Sequence, residues 1–376
     1  MMPPPYRSYV LVSLDRIARN YRNVCAAVGP GVEVMAVVKA DAYGHGALAV
    51  SRTLVGEGAK WLAGSSVDEG VALRTAGIGV RILVMAGFLP QEREAVVQHD
   101  LTPTAHSLDD IAELDRMAGR AGRPLAFHLK IDSGMGRLGT RAQPQEIVAA
   151  LGALGHARLE GLMTHFASAA DFTSPQTGQQ LARFQACLAA LREAGMGVDY
   201  VHTSSTNAIG YARKDAWHNM VRAGHALYGY VSPARGAGPG QILDVQPALT
   251  WKAKILAVKD IPEGTLVGYG GTFRAPAAMR IAILGAGYAD GVFHRLSNRG
   301  KVIAAGQIVP MVGTISMDLT TIDVSRAPEL KAGDDVTLLG AEGDVRLDAQ
   351  QIARAAGTIS YNILSSISAR VRRVYV

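Results

Sequence analysis

A lysine stands where the first long apolar run of the chain ends. Residues 32–38, Val-Glu-Val-Met-Ala-Val-Val, are β-branched and apolar almost throughout, the pattern of a strand buried on both faces. Lys39 follows, and Gly44 and Gly46 flank His45 just beyond, where a helical pattern begins. An ammonium buried without a partner is costly. Burial can instead lower its pKa and make it an amine nucleophile, able to form a Schiff base with a carbonyl. The plain alternative is a side chain that reaches past the strand end into water.

The elements around Lys39 decide which other residues could join it. Residues 14–28 carry Leu14, Ile17, Ala18, Tyr21, Val24, Cys25 and Val28, one face of an amphipathic helix. After Lys39, apolar strands at 61–65, 81–86, 101–105, 125–132, 159–166, 200–205 and 220–228 alternate with helical patterns. Ser66 and Ser107 open capping boxes, Ser174-Pro175 opens a helix, and Gly77 and Gly195 close others. Eight such units predict a (β/α)8 TIM-type barrel over residues 1–240. A doubly wound sheet would show a glycine fingerprint that Gly44-His45-Gly46 does not match. From the loop at 236–240 onward the pattern changes to short alternating segments, with a helix at 348–367 and a last strand at 371–376. Residues 241–376 read as a mostly β domain.

In a barrel the chemistry sits at the C-terminal ends of the strands. Those ends offer Lys39 and Tyr43, then Lys130, Asp132 and Arg137, then Thr164 and His165. They continue with His202, Ser204, Ser205 and Thr206, and finish with Arg222, Gly224 and His225. Each alone could be a packing or surface residue; their convergence is the argument. Loops after the last two strands are where barrels often bind phosphate. Here they bring Ser204-Ser205-Thr206-Asn207 and Ala223-Gly224-His225, hydroxyls plus a glycine that admits backbone N–H groups. A phosphate there and a carbonyl-seeking lysine opposite suggest one cofactor, pyridoxal 5'-phosphate, joined to Lys39 as a Schiff base, with Arg222 facing its ring nitrogen.

Composition excludes other classes. The 376 residues are 48% apolar and 19% charged, and the net charge of +6 is spread along the chain. No basic block with interleaved aromatics points to nucleic acid, and no apolar run approaches membrane-spanning length. Cys25 and Cys187 fall on apolar helical positions and read as reduced core residues. No metal-ligand cluster stands out. Three prolines and no apolar core in residues 1–6 leave no visible secretory signal, so the expected location is the cytoplasm.

The motifs Val37-Val38-Lys39-Ala40-Asp41-Ala42-Tyr43-Gly44-His45-Gly46, Met135-Gly136-Arg137-Leu138-Gly139 and Val221-Arg222-Ala223-Gly224 stand in one order with four more. These are Gly268-Tyr269-Gly270-Gly271, Gly287-Tyr288-Ala289-Asp290-Gly291, Ser316-Met317-Asp318 and Gly357-Thr358-Ile359-Ser360-Tyr361. In this the chain resembles the alanine racemases, pyridoxal-phosphate enzymes of fold-type III, along nearly its whole length. The resemblance implies interconversion of L- and D-alanine by two bases, Lys39 for the D isomer and Tyr269 for the L isomer, supplying D-alanine for peptidoglycan. It implies a homodimer in which Tyr269 and Met317 act in the partner's site. Arg137 and Met317 would meet the substrate carboxylate, and Arg222 the ring nitrogen. Tyr43, Thr206, Gly224, His225 and Tyr361 would hold the phosphate, with His165 between Arg222 and Tyr269. Lys130 matches a lysine that is carbamylated in some members. Two positions depart from the family: Ser205-Thr206 replaces an asparagine–serine pair, and His225 stands where many relatives carry an aliphatic residue. A serine or broad-spectrum racemase, a non-catalytic cofactor carrier and a barrel decarboxylase are the alternatives. Tyr269 and Tyr361 beside the substrate methyl favour alanine, and a carrier needs no second base.

Overall fold

The computed structural model describes residues 5–376; Met1–Pro4, part of the proline-rich start, lie outside them. The chain divides into two units. One comprises Arg16–Ala42 and Ala47–Gln246; the other takes the residues up to Asp15, Tyr43–Gly46 and Pro247–Val376. The first strand, β1 (Ser8–Val12), therefore belongs with the C-terminal unit rather than with the barrel that follows it.

After the helix Leu14–Val28, the barrel strands are β2 (Glu33–Val37), β3 (Trp61–Gly64), β4 (Arg81–Val84) and β5 (Thr102–Ala105). The remaining four are β6 (Leu125–Lys130), β7 (Ala157–Met163), β8 (Tyr200–His202) and β9 (Met220–Ala223). All pair in parallel in the order β8-β7-β6-β5-β4-β3-β2-β9. The two ends meet where the Arg222 N–H donates to the Ser204 carbonyl at 2.9 Å, so the sheet nearly closes. Helices cover one face and side chains fill the other, which is why β3 and β5 are buried at every position. Met35, Leu62, Ile82, Leu83 and Phe127 are fully enclosed. Local chemistry sets the helix ends. Ser107 accepts from the Asp110 N–H at 3.0 Å, and Gly122, at φ +62°, ends that helix in the left-handed conformation.

The C-terminal unit is built on β10 (Leu249–Ile261), whose burial alternates along its length. It is joined by β11 (Leu266–Val267), β12 (Phe273–Arg274), β13 (Met279–Leu284), β14 (Lys301–Ala304) and β15 (Gln307–Pro310). β16 (Thr320–Asp323), β17 (Asp335–Glu342), β18 (Val345–Leu347) and β19 (Arg372–Tyr375) complete it. The main sheet runs β15-β14-β17-β10-β1-β19, with β13 branching from β10 and carrying β16, and β18 branching from β17. The single helix expected over 348–367 is two, Ala349–Ala356 and Ser360–Ser365, because Gly357 ends the first at φ +67°. The eighth barrel segment is also shorter than 220–228: the strand stops at Ala223 and His225–Tyr228 is a 3-10 turn.

Candidate active site

β2 ends at Val37, and Lys39 opens a single helical turn, Lys39–Gly44, in place of the strand end expected there. That turn is left-handed. Ala40, Asp41, Ala42 and Tyr43 have φ of 51, 52, 53 and 54°, and Gly44 follows at 80°. Four L-residues there cost roughly 4–8 kcal/mol in all. Fixed bonds hold the strain: the Ala42 N–H donates to the Val38 carbonyl at 2.8 Å, Ala40 N–H to Glu69 Oε1 at 2.7 Å, and Ala47 N–H to Asp41 Oδ1 at 2.7 Å. Lys39 is thereby half-buried in the barrel mouth. Burial lowers its pKa, Arg137 and Arg222 lower it further, and Glu69 opposes them.

Arg222, fully enclosed on β9, is the hub. One guanidinium nitrogen donates to His202 Nδ1 at 2.9 Å and to the His202 carbonyl at 2.7 Å. The other donates to the carbonyls of Thr164 (2.6 Å) and Thr203 (3.1 Å) and lies 3.3 Å from His165 Nδ1. Burial draws its pKa down to about 9, still a cation at neutral pH. His165 is held well below its usual range, first by burial and then by Arg222, Lys130, Arg137 and Lys39, so it is neutral. Lys130, at the end of β6, falls to about 8 through burial and the charges of Arg137 and Arg222.

The loop that presents Arg137 is organised by Asp132. Its Oδ1 accepts the N–H groups of Gly134, Met135 and Gly136 at 3.0–3.1 Å, while Oδ2 pairs with Arg141 at 2.7 Å. Glu69 is similarly engaged, with Oε2 accepting the Ser65 N–H at 2.5 Å. Arg137 and Arg222 thus lower the pKa of both Lys39 and Lys130, and the acids near them are committed to backbone donors and Arg141. Such a mouth suits a dianionic or twice-anionic ligand.

At the far loops the sequence reading needs correction. Ser204 Oγ donates to the Ala216 carbonyl at 2.7 Å, and Asn207 Oδ1 accepts the Ser232 N–H at 3.2 Å, so both side chains are spent on holding the loop. Thr206 is different. Its Oγ1 accepts from the N–H groups of both Gly224 and Ala226 at 3.2 Å, which gathers a hydroxyl, with its own proton to donate, and two backbone N–H groups at one point beside His225. That is the composition of a phosphate cradle.

Tyr43, Tyr269, Met317 and Tyr361 lie in the C-terminal unit. The Tyr43 and Tyr361 rings are 6.0 Å apart at 47°, and burial followed by the Tyr361 charge raises the Tyr43 hydroxyl pKa. Tyr269 sits between Gly268 (φ +74°) and Gly270 (φ +72°) and is 76% exposed; its carbonyl accepts from Thr314 Oγ1 at 2.9 Å. Met317 is also exposed, as are Leu266, Tyr288 and Leu319 in the same stretches.

Residues 12–233 match the model of the alanine racemase N-terminal domain, and residues 248–375 match that of the C-terminal domain. The chain belongs to the alanine racemase family. It is 38% identical to the alanine racemase of Halothermothrix orenii, across 97% of this chain and 95% of that one. It is equally similar to that of Synechocystis sp., across 98% and 99%. The crystal structure of the alanine racemase from Streptomyces lavendulae, a D-cycloserine producer, superimposes with a TM-score of 0.93 at 34% identity, covering 100% and 98% of the two chains. The enzyme from Bartonella henselae, crystallised with covalently bound pyridoxal phosphate, superimposes at 0.88 with 28% identity over 99% and 100%. Alanine racemases interconvert L- and D-alanine with pyridoxal phosphate and supply D-alanine for peptidoglycan; this chain is an isomerase of that family. Among the described residues no helix is long and apolar enough to cross a membrane. Sequence reasoning missed Glu69 and His128. A glutamate three residues into a capped helix reads only as a cap partner, and a lone histidine within a strand reads as packing.

Proposed function

We propose that Lys39 holds pyridoxal phosphate covalently and that Lys39 and Tyr269 are the two bases of alanine racemisation. The observation that carries this is the buried mouth where Lys39 stands among Arg137, Lys130 and Arg222 with its nearby carboxylates already engaged. Those residues fit an anionic cofactor and an anionic substrate together: the phosphate against Thr206, Gly224 and His225, the substrate carboxylate against Arg137. Tyr43 and Tyr361 carry the further phosphate contacts that the family resemblance implies. When bound, the cofactor supplies an electron sink for the charge left on the substrate α-carbon. Lys39 Nζ, its proton affinity lowered by burial, takes or returns the α-proton on one face. Arg222 would meet the ring nitrogen as a cation and donor, and a cation there would disfavour a proton on that nitrogen.

Tyr269 serves the opposite face. Its exposure, together with that of Leu266, Tyr288, Met317 and Leu319, suits a surface completed by a second copy of the chain. We infer a homodimer in which Tyr269 and Met317 reach the partner's mouth, acting in the cytoplasm. The test is L-alanine and the cofactor-loaded protein in deuterated water. Loss of optical rotation to zero with deuterium in both isomers is expected. Lys39→Ala should abolish exchange, and Tyr269→Phe should block it chiefly for L-alanine. Equal loss for both isomers in Tyr269→Phe would overturn the assignment of the two faces.

A further inference from the structure

Behind Arg222 the barrel holds a line of polar groups that the chemistry above does not use. His202 Nδ1 accepts from Arg222 at 2.9 Å, and His202 Nε2 stands 2.8 Å from His128 Nδ1. His128 Nε2 lies 3.6 Å from Glu160 Oε2, just beyond hydrogen-bond range. Glu160 in turn accepts from Arg81 at 2.5 and 2.8 Å and from Arg158 at 3.2 Å. His128 and His202 are wholly buried and Glu160 nearly so. The line runs from the mouth, on β9, to the opposite end of the barrel, where Arg81 opens β4.

Its hydrogens are determined from both ends: the Glu160 carboxylate favours a proton on His128 Nε2, and Arg222 favours a lone pair on His202 Nδ1. A guanidinium only donates, so His202 Nδ1 presents a lone pair and the His202 proton is on Nε2. That proton points to His128 Nδ1, which must then be unprotonated, leaving the His128 proton on Nε2 towards Glu160. Every donor faces the same way, from Arg222 to the carboxylate. Burial, then neighbouring cations, keep both imidazoles neutral against the pull of Glu160. Burial would raise the Glu160 carboxyl, but His128 and Arg81 hold it at about 2. The seat for His128 is built into the fold. A Cβ on Gly161 would press 2.5–2.6 Å from the imidazole atoms, and the β6–β7 register shifts between Phe127 and His128. Trp61, with Arg81 over its ring at 4.6 Å, closes another side at 5.2 Å.

We propose that His128 is a positioning residue for Arg222: it locks His202 in the tautomer whose lone pair faces the guanidinium, and so fixes the orientation of Arg222 at the mouth. The inference deepens the reading of Arg222 as the group facing the cofactor ring and rests on it for its catalytic consequence.

The test begins with cofactor-free protein carrying ¹⁵N-labelled histidine, read by long-range ¹H–¹⁵N correlation near pH 7. In wild type, His202 and His128 should both show the neutral Nε2–H pattern. In His128→Phe, which keeps a ring but offers no acceptor, the His202 signal should become a tautomer mixture; His128→Gln, with an amide oxygen, should restore it. In the loaded enzyme His128→Phe should lose about tenfold in kcat/KM, the scale of one hydrogen bond to a charged group, and His128→Gln should recover most of it. An Nδ1–H or cationic His202 in wild type overturns the proposal even where His128→Phe fails to fold. An unchanged His202 pattern in a folded His128→Phe overturns it too. If the tautomer pattern shifts but racemisation does not, the relay stands and the placement of Arg222 against the cofactor ring is what fails.

Discussion

Replacing Ala40 by glycine tests the left-handed turn directly, because the sign of the effect depends on handedness. In a right-handed helix an alanine-to-glycine change costs about 1 kcal/mol. At φ +51° the alanine Cβ already costs roughly 1–2 kcal/mol, which glycine removes. Against that stands the greater freedom of glycine in the unfolded chain, about 0.4–1 kcal/mol. Ala40 is exposed, so no cavity is left, and its N–H bond to Glu69 Oε1 is a backbone bond that glycine keeps. The expected net effect of Ala40→Gly is a stabilisation of roughly 0.5–1 kcal/mol. In thermal unfolding that is an upward shift of about 1–3 °C, and the urea midpoint should rise with it. Gly44→Ala is the counterpart: φ is +80° there and a Cβ would overlap the Leu364 carbonyl, so a loss of about 1–3 kcal/mol is expected. If Ala40→Gly instead lowers stability by about 1 kcal/mol, the turn is right-handed and the strain argument is wrong.

Lys130→Met should stabilise the cofactor-free protein at pH 7 and lose that advantage by about pH 10.5. The Lys130 pKa is lowered from 10.5 to about 8, so the unfolded chain binds more protons between those values; the penalty of about 3 kcal/mol is full below pH 8 and fades above it. Denaturation at the two pH values checks this. Asp132→Ala frees three backbone donors and unties the loop bearing Arg137, so the KM for alanine should rise about tenfold with kcat much less affected, as steady-state kinetics would show. Gly161→Ala should be poorly tolerated, since its Cβ meets the His128 ring; lower stability together with reduced racemisation is the expected pair. Stability should also fall as pH drops below about 6.5, because His128, His165 and His202 resist protonation when folded but take it up when unfolded; an acid titration by circular dichroism reads the loss.

The sequence by itself determined the barrel and the position of its lysine. Apolar runs such as 32–38 and the capped helices between them repeat often enough to specify eight parallel strands, and Lys39, Arg137, Thr206 and Arg222 follow from where those runs end. Such signals are local: periodicity, caps and glycines act within a few residues. Tertiary structure decided what depended on distant partners. β1 joins the C-terminal sheet because its edges find β10 and β19, more than two hundred residues away, and nothing in Ser8–Val12 names them. The turn after Lys39 is left-handed although alanine, aspartate and tyrosine all prefer the other hand; bonds to Val38 and Glu69 hold it there. Ser204 and Thr206 look alike in sequence, yet the first is spent on Ala216 and the second meets Gly224 and Ala226, since strand closure sets which way each points. The line from Arg222 to Glu160 crosses four strands. A histidine in a strand has no partner in its own segment, and only barrel closure brings His202, His128 and Glu160 together behind Arg222.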